Sequence, residues 1–286
     1  MLQHELNTAT HLAQIASRSI LKFYEEGFEA EEKIGSDNFS EPVTVADRES
    51  SRIIVAGLAA AFPDDGILSE EEIDDLELRL SKDRVWIIDP IDGTAGFVSH
   101  DGDFAVQIGL AIDGEAVLGV VLLPFHGVLI HAVRGEGTFS LAPTGEKTQL
   151  LVSDRTDLKE MCIAVSRNHP SSRMKRIIAH FGFSRSIRRG SVGLKVSLIA
   201  GRDADLYIHP SPRTKLWDTC APQIILEEAG GKMTDLFGNV LRYDRRDLYN
   251  RNGILASNGI SHEKLVANLA PLLAEFGRLP YKQAKS

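Results

Sequence analysis

The stretch Val85-Trp86-Ile87-Ile88-Asp89-Pro90-Ile91-Asp92-Gly93-Thr94 constrains this chain more than any other. Four apolar residues run directly into two carboxylates, a proline, a glycine and a threonine. Such a run, rich in Ile and Val and bounded by Pro and Gly, reads as a buried strand. Its carboxylates emerge where the strand leaves the core, which is where sites collect on sheet proteins. Asp89 and Asp92 lie three apart across a proline, so they cannot simply alternate above and below a strand. The backbone is expected to turn between them and bring both acids toward one point. Converging carboxylates repel and raise each other's pKa unless a cation sits between them. A bare Asp-x-x-Asp is more often an acidic turn than a site, so the other acids decide.

The rest of the composition narrows the class. A chain of 286 residues has room for about two domains or one large α/β unit. Hydrophobic residues at 43% and charged residues at 25% exclude wholesale disorder. A net charge of -8 argues against a generic nucleic-acid binder. The two cysteines, Cys162 and Cys220, have no CxxC spacing, so a zinc ribbon or disulfide framework is not expected and a reducing cytoplasm fits. The start MLQHELNTAT lacks the pattern of a signal peptide, and no apolar run approaches the ~20 residues needed to cross a bilayer. Charge is unevenly spread: Met161 to Arg202 holds nine Lys or Arg and no Asp or Glu. Solvated faces can produce such a bias, but a basic surface beside an acid-rich one is also what a phosphorylated substrate needs.

Periodicity sets the order of elements. Residues 5 to 26 read as an amphipathic helix, 31 to 34 as a short strand, and Ser51 to Phe62 as a helix stopping before Pro63. Asp74 to Lys82 reads as an exposed connection. Phe104 to Ile112, Ala116 to Leu123 and Val128 to Val133 alternate with period two and form an antiparallel meander. After about Leu151 strands and helices alternate: strands at 161–165, 205–209 and 254–257, helices at 171–181, 192–200, 217–229 and 262–276. The change of pattern near 145 divides the chain into an N-terminal α+β domain, 1–145, and a C-terminal α/β domain, 146–286. The expected class is α/β, in layers.

Five acids stand at element ends: Asp47, Glu70, Asp89, Asp92 and Asp218. Each has an ordinary reading, Asp47 as a helix cap and Glu70 as part of an acidic loop. Together they can meet in one cleft. Carboxylates without a Cys/His cluster select Mg²⁺, with Mn²⁺ as a substitute. Shared carboxylates hold metals close enough to clamp the attacking and leaving oxygens of a phosphoryl group.

Asp89-Pro90-Ile91-Asp92-Gly93-Thr94 is similar to the signature of the inositol monophosphatase superfamily of Mg²⁺-dependent, lithium-sensitive phosphatases. Trp217-Asp218 with Glu228-Ala229-Gly230-Gly231 resembles its second signature, and Val43-Thr44 with Asp47, and Glu70-Glu71, resemble its smaller elements. The resemblance covers nearly the whole chain in order. It implies an αβαβα sandwich of the inositol monophosphatase and fructose-1,6-bisphosphatase type. It implies two or three Mg²⁺ ions: Glu70, Asp89 and the Ile91 carbonyl for the first, Asp89, Asp92 and Asp218 for the second. Glu70, and Thr94 paired to Asp47, would orient and deprotonate the attacking water. Gly93 and Thr94 would offer N–H groups to the phosphate. A soluble partner is implied, a small phosphate ester, with no nucleic-acid polymer and no membrane insertion, in a monomer or a homodimer.

Within the superfamily, Ser166-Arg167-Asn168-His169 resembles an element of the 3'(2'),5'-bisphosphate nucleotidases, a branch tied to sulfur assimilation. Lys195 stands where that branch has a phosphate-contacting lysine, and His169, Ser191, Lys195 and Asp218 become expected substrate contacts. Ala95-Gly96 departs from the Lys-Glu-like pair of that branch, and Ser191-Val192-Gly193 looks more like the inositol branch. The expected reaction is removal of the 3'-phosphate from adenosine 3',5'-bisphosphate; inositol 1-phosphate and histidinol phosphate are the alternative substrates. A haloacid-dehalogenase reading fails on its Asp-x-Asp spacing, and Gly190 to Lys195 lacks P-loop spacing. A non-catalytic Mg²⁺- or nucleotide-binding relic would have lost a ligand or Thr94, and all are present.

Overall fold

Leu6, Ala9, Leu12, Ala13, Ala16 and Ile20 recur at helical spacing and form the buried face of α1 (Gln3–Glu26). The computed structural model describes residues 2–34, 40–167 and 171–281. A hairpin of β1 (Ala30–Ile34) and β2 (Ser40–Thr44) leads straight into α2 (Val45–Ala61). That helix starts six residues before the expected Ser51. The cause is a capping box: Thr44 accepts from the N–H groups of Ala46 and Asp47, while Asp47 accepts from the Thr44 N–H.

The first sheet follows in chain order. It contains β3 (Gly66–Ser69) at the edge, then after α3 (Leu76–Leu80) its neighbour β4 (Arg84–Asp92). α4 (Thr94–Val98) precedes β5 (Ala105–Ile112), β6 (Glu115–Leu123), β7 (Val128–Val133), β8 (Gly137–Leu141) and β9 (Lys147–Leu150). The strand order is sequential; β3 and β4 are parallel and the rest antiparallel, as the meander pattern predicts. Two details differ from expectation. The 74–82 connection contains α3 and is anchored by Arg79, which is 2% exposed and grips Asp74 with two nitrogens. β4 continues through Asp92, with its register against β5 shifting between Asp89 and Asp92. A bulge, not a turn, supplies the convergence of the two acids.

The second sheet uses β10 (Cys162–Ser166), then, after α5 (Ser172–Phe181), β11 (Arg185–Arg189). α6 (Val192–Ala200), β12 (Leu206–His209), α7 (Cys220–Glu228), β13 (Lys232–Thr234), β14 (Ile254–Ser257) and α8 (His262–Glu275) complete it. The order is β11-β10-β12-β14-β13, so the chain passes between sheets after Leu150. β11 and β13 go beyond the expected strands. α7 begins at Cys220, three residues later than expected, which leaves Asp218 in the turn before the helix.

Side-chain alternation along β4 builds the layers. Trp86 and Ile88 face α1 and α2, while Val85 and Ile87 face a middle core shared with α6, α7 and the second sheet. α5 and α8 cover the far face of that sheet through Ile177, Phe181, Leu265 and Leu269. The result is a five-layer αβαβα sandwich. Glycines let α7 lie close on the first sheet: a Cβ on Gly119 would stand 2.5 Å from the Ala221 carbonyl oxygen. Among the described residues no helix is long and apolar enough to cross a membrane.

Candidate active site

The parallel pairing of β3 and β4 brings their carboxyl ends to the same edge of the sheet. Glu70 follows β3, its N–H donating to the Ile88 carbonyl at 3.2 Å, while Asp89 and Asp92 lie on the last stretch of β4. The turn before α7, in the layer between the sheets, delivers Asp218. Carboxylate oxygens of Asp89, Asp92 and Asp218 lie within 4.8 Å of one another. With Glu70 they line one cavity of about 800 Å³, together with Ile91, Gly93, Thr94 and Lys195.

Gly93 has φ +93°, a conformation that L side chains rarely adopt, and a Cβ there would sit 2.6 Å from the Asp103 carbonyl oxygen. The turn it allows starts α4 and points Thr94 back toward α2. The Thr94 hydroxyl lies 3.1 Å from Asp47 Oδ1 and 3.0 Å from the Ile91 carbonyl oxygen. Asp47 is held from behind by the Thr44 hydroxyl at 2.6 Å and N–H at 2.8 Å. Thus Asp47 joins the site through Thr94, as the sequence reading expects of that pair.

The electrostatics of the cluster favour binding of a cation. Burial raises the Asp89 carboxyl well above the usual range, and Glu70, Asp92, Asp218 and Asp47 push it further. Asp89 Oδ1 is buried and has no hydrogen-bond partner among the described residues. Burial also raises Asp92, opposed by Lys195, the Ser191 hydroxyl and the Gly193 and Val192 N–H groups. Asp47 is raised to about 6, chiefly by burial, against the pull of its Thr44 hydrogen bonds. An all-oxygen set of acids, Asp89 and Asp92 buried and Glu70 and Asp218 half-buried, with an unpaired oxygen on Asp89, fits a hard divalent cation.

Two expected substrate contacts have other partners. Ser191 is fully buried; its hydroxyl donates to Asp92 and accepts from the Leu194 N–H at 3.0 Å, capping α6. Lys195 lines the cavity but is 1% exposed, donating to the Gly190 carbonyl at 2.8 Å and standing 4.9 Å from the Tyr207 ring centre. Burial lowers its pKa to about 8, with Asp92 and Asp218 pulling the other way. Ser191 therefore braces Asp92 directly, while Lys195 acts on it through charge. His169 lies outside the described residues.

Lys215 is a site residue that sequence reasoning misses. Its ammonium lies 3.7 Å from Glu70 Oε1, and its N–H donates to Asp218 Oδ2 at 2.5 Å, so it ties the acid after β3 to the acid before α7. Its only local signal is proximity to Trp217-Asp218. The lining of the same cavity also has basic residues, Arg167, Arg173, Lys175, Arg188 and Arg213, and apolar Val165, Met174 and Ile178.

Residues 1–274 match the model of the inositol monophosphatase family. The Escherichia coli 3'(2'),5'-bisphosphate nucleotidase CysQ is 31% identical over 252 residues, covering 88% of this chain and 99% of that protein. A Thermotoga maritima fructose-1,6-bisphosphatase/inositol-1-monophosphatase is 33% identical over 240 residues, 84% of this chain and 86% of the relative. Among solved structures, the Thermotoga maritima IMPase superposes with TM-score 0.81 at 28% identity, covering 96% of this chain and all of that one. CysQ from Bacteroides thetaiotaomicron gives TM-score 0.74 at 28% identity, over 89% of this chain and 97% of that one. Fold, cavity and relatives agree: the chain belongs to the inositol monophosphatase family and is a phosphoric monoester hydrolase.

Proposed function

We propose that the chain is a Mg²⁺-dependent 3'(2'),5'-bisphosphate nucleotidase that converts adenosine 3',5'-bisphosphate to AMP and phosphate. The observation that carries this reading is one cavity with an acidic floor (Glu70, Asp89, Asp92, Asp218) and a basic wall (Arg167, Arg173, Lys175, Arg188, Arg213). A cation-loaded floor can take the phosphoryl group that reacts, and the wall a second phosphate. The CysQ relatives at 31% identity support the same substrate class. We also assign the protein to the cytoplasm, consistent with Cys162 and Cys220 both buried and unpaired.

Glu70, Asp89, the Ile91 carbonyl, Asp92 and Asp218 would hold two or three ions. Bound there, Mg²⁺ supplies charge to the phosphoryl oxygens and lowers the pKa of a water. The remaining work falls to side chains. Thr94, donating its proton to Asp47, turns its lone pairs outward and can accept a hydrogen bond from the attacking water. Glu70, at the mouth of the floor, is the second group able to orient that water and take its proton. The Gly93 and Thr94 backbone cradles the phosphate. Lys195 and Ser191 favour the ionised form of Asp92 against its burial, and the Ser191 hydroxyl fixes its orientation.

A substrate panel tests the assignment. Adenosine 3',5'-bisphosphate is expected to give the highest kcat/KM, ahead of inositol 1-phosphate, histidinol phosphate and fructose 1,6-bisphosphate. A clear preference for inositol 1-phosphate or fructose 1,6-bisphosphate would instead favour the reading that the Thermotoga maritima relative supports.

A further inference from the structure

We propose that Asp103 is a positioning residue for the second anionic group of the substrate, acting through Arg167 and the turn at Gly190. The proposal rests on the reading above that the substrate carries two such groups. Asp103 is 3% exposed and precedes β5. Its Oδ2 accepts from the Gly190 N–H at 2.9 Å and lies 2.9 Å from Arg167 Nη2, and its Oδ1 lies 3.7 Å from Arg189 Nε. A second carboxylate, Asp101, grips Arg167 Nη1 at 2.8 Å. Arg167 itself stands at the cavity wall.

The other end of the same residue touches the reaction floor. The Asp103 carbonyl presses on Gly93, leaving no space for a side chain there. Gly190, held by the Asp103 carboxylate, accepts from Lys195 and precedes Ser191, which donates to Asp92. One residue just before β5 thus sets the end of β4 and the turn at Gly93 against the basic segment around Gly190. A guanidinium held by two carboxylates has lost most of its rotamer freedom before substrate arrives, so less is lost on binding. The carboxylate pair also neutralises much of Arg167, so its contribution is orientation more than added charge.

The experiment measures kcat and KM at saturating Mg²⁺ for wild type, D103N, R167Q and the double variant. The substrates are adenosine 3',5'-bisphosphate and 3'-AMP, which lacks the second phosphate. The amide of D103N keeps an acceptor for the Gly190 N–H and removes the charge that holds Arg167. KM for the bisphosphate is expected to rise roughly fivefold to tenfold, with smaller changes in kcat and in KM for 3'-AMP. The double variant is expected to be no worse than R167Q alone, because both act on one contact. Equal losses on the two substrates, or additive effects in the double variant, overturn the proposal. If D103N folds poorly, D101N removes only a guanidinium contact and is expected to move the bisphosphate KM in the same direction; no movement overturns the proposal. A wild type that prefers 3'-AMP overturns the substrate reading and this proposal together. A wild type that prefers the bisphosphate leaves the variants to decide Asp103 alone.

Discussion

Thr94 has a single hydroxyl proton and two acceptors within reach, Asp47 and the Ile91 carbonyl. With either acceptor its oxygen can still accept a hydrogen bond from water, but only the Asp47 carboxylate is basic enough to take the hydroxyl proton as Thr94 receives one from water. T94A is therefore expected to lower kcat by roughly a hundredfold with little change in KM, the pattern of an interaction made in the transition state. T94S should keep most of the activity; steady-state kinetics on the preferred substrate checks both. Residues of this kind were legible because Asp89, Asp92 and Thr94 sit within one six-residue signature. Ser191 and Lys195 were harder. Their chemical types announce a hydroxyl and a cation, but burial behind Asp92 is a property of two elements meeting, which no local pattern encodes. Lys215 was hidden for a similar reason, since Glu70, the acid its ammonium meets, comes from a distant part of the chain, and its contact to Asp218 is through the backbone N–H.

Element by element, strands that alternate on a half-buried face announced themselves, and β11 did not. Its sequence Arg-Ser-Ile-Arg-Arg offers one apolar residue, and it is a strand because its backbone pairs in parallel with β10 from 162 to 166. α7 was legible as a helix, but not its close seat on β5 and β6. That seat makes a prediction: in G119A the new methyl meets the Ala221 carbonyl and Ile224, and stability should fall by about 1–3 kcal/mol. Chemical denaturation measures the loss, and a weaker Mg²⁺ response should accompany it because Asp218 leads into this helix. At the start of α8, His262 is buried between the hydroxyls of Thr234 and Ser257, each 2.8 Å from a ring nitrogen. Burial lowers its pKa to about 4, below the ordinary 6.5. The unfolded chain then takes up a proton that the folded chain refuses, so stability is complete above about pH 6.5 and declines as pH falls toward 4. The slope reaches about 1.4 kcal/mol per pH unit at most. H262Q should flatten this part of the stability profile relative to wild type, as denaturant midpoints between pH 4 and 7 would show.

For the whole molecule, the balance of charge at the centre is the dominant fact. Three acids from the first sheet and one from the turn before α7 share one cavity, and Asp89 is held at a cost that a bound cation would relieve. Mg²⁺ at a hundredfold excess over its Kd should add about 2.7 kcal/mol of stability, visible as a rise in Tm over the chelated protein. D89N should melt higher than wild type in chelator, lose the Mg²⁺-dependent rise and release no phosphate; a D89N that still responds to Mg²⁺ would remove Asp89 from the ligand set. The layered class and most of the acids were readable from sequence, whereas the middle layer, α6 and α7 between two sheets, emerges only when both sheets exist. That layer has a consequence for biosynthesis. When the ribosome has completed the first sheet, Val85, Ile87, Val121 and Leu123 face the middle of a protein whose other half is still unmade. The nascent chain carries this bare apolar face until α6 and α7 leave the exit tunnel, a window in which chaperones or neighbouring nascent chains can bind it. Asp218 arrives with the same helix that closes the window, so the cover over the sheet and the last acid of the site are delivered by a single stretch of translation.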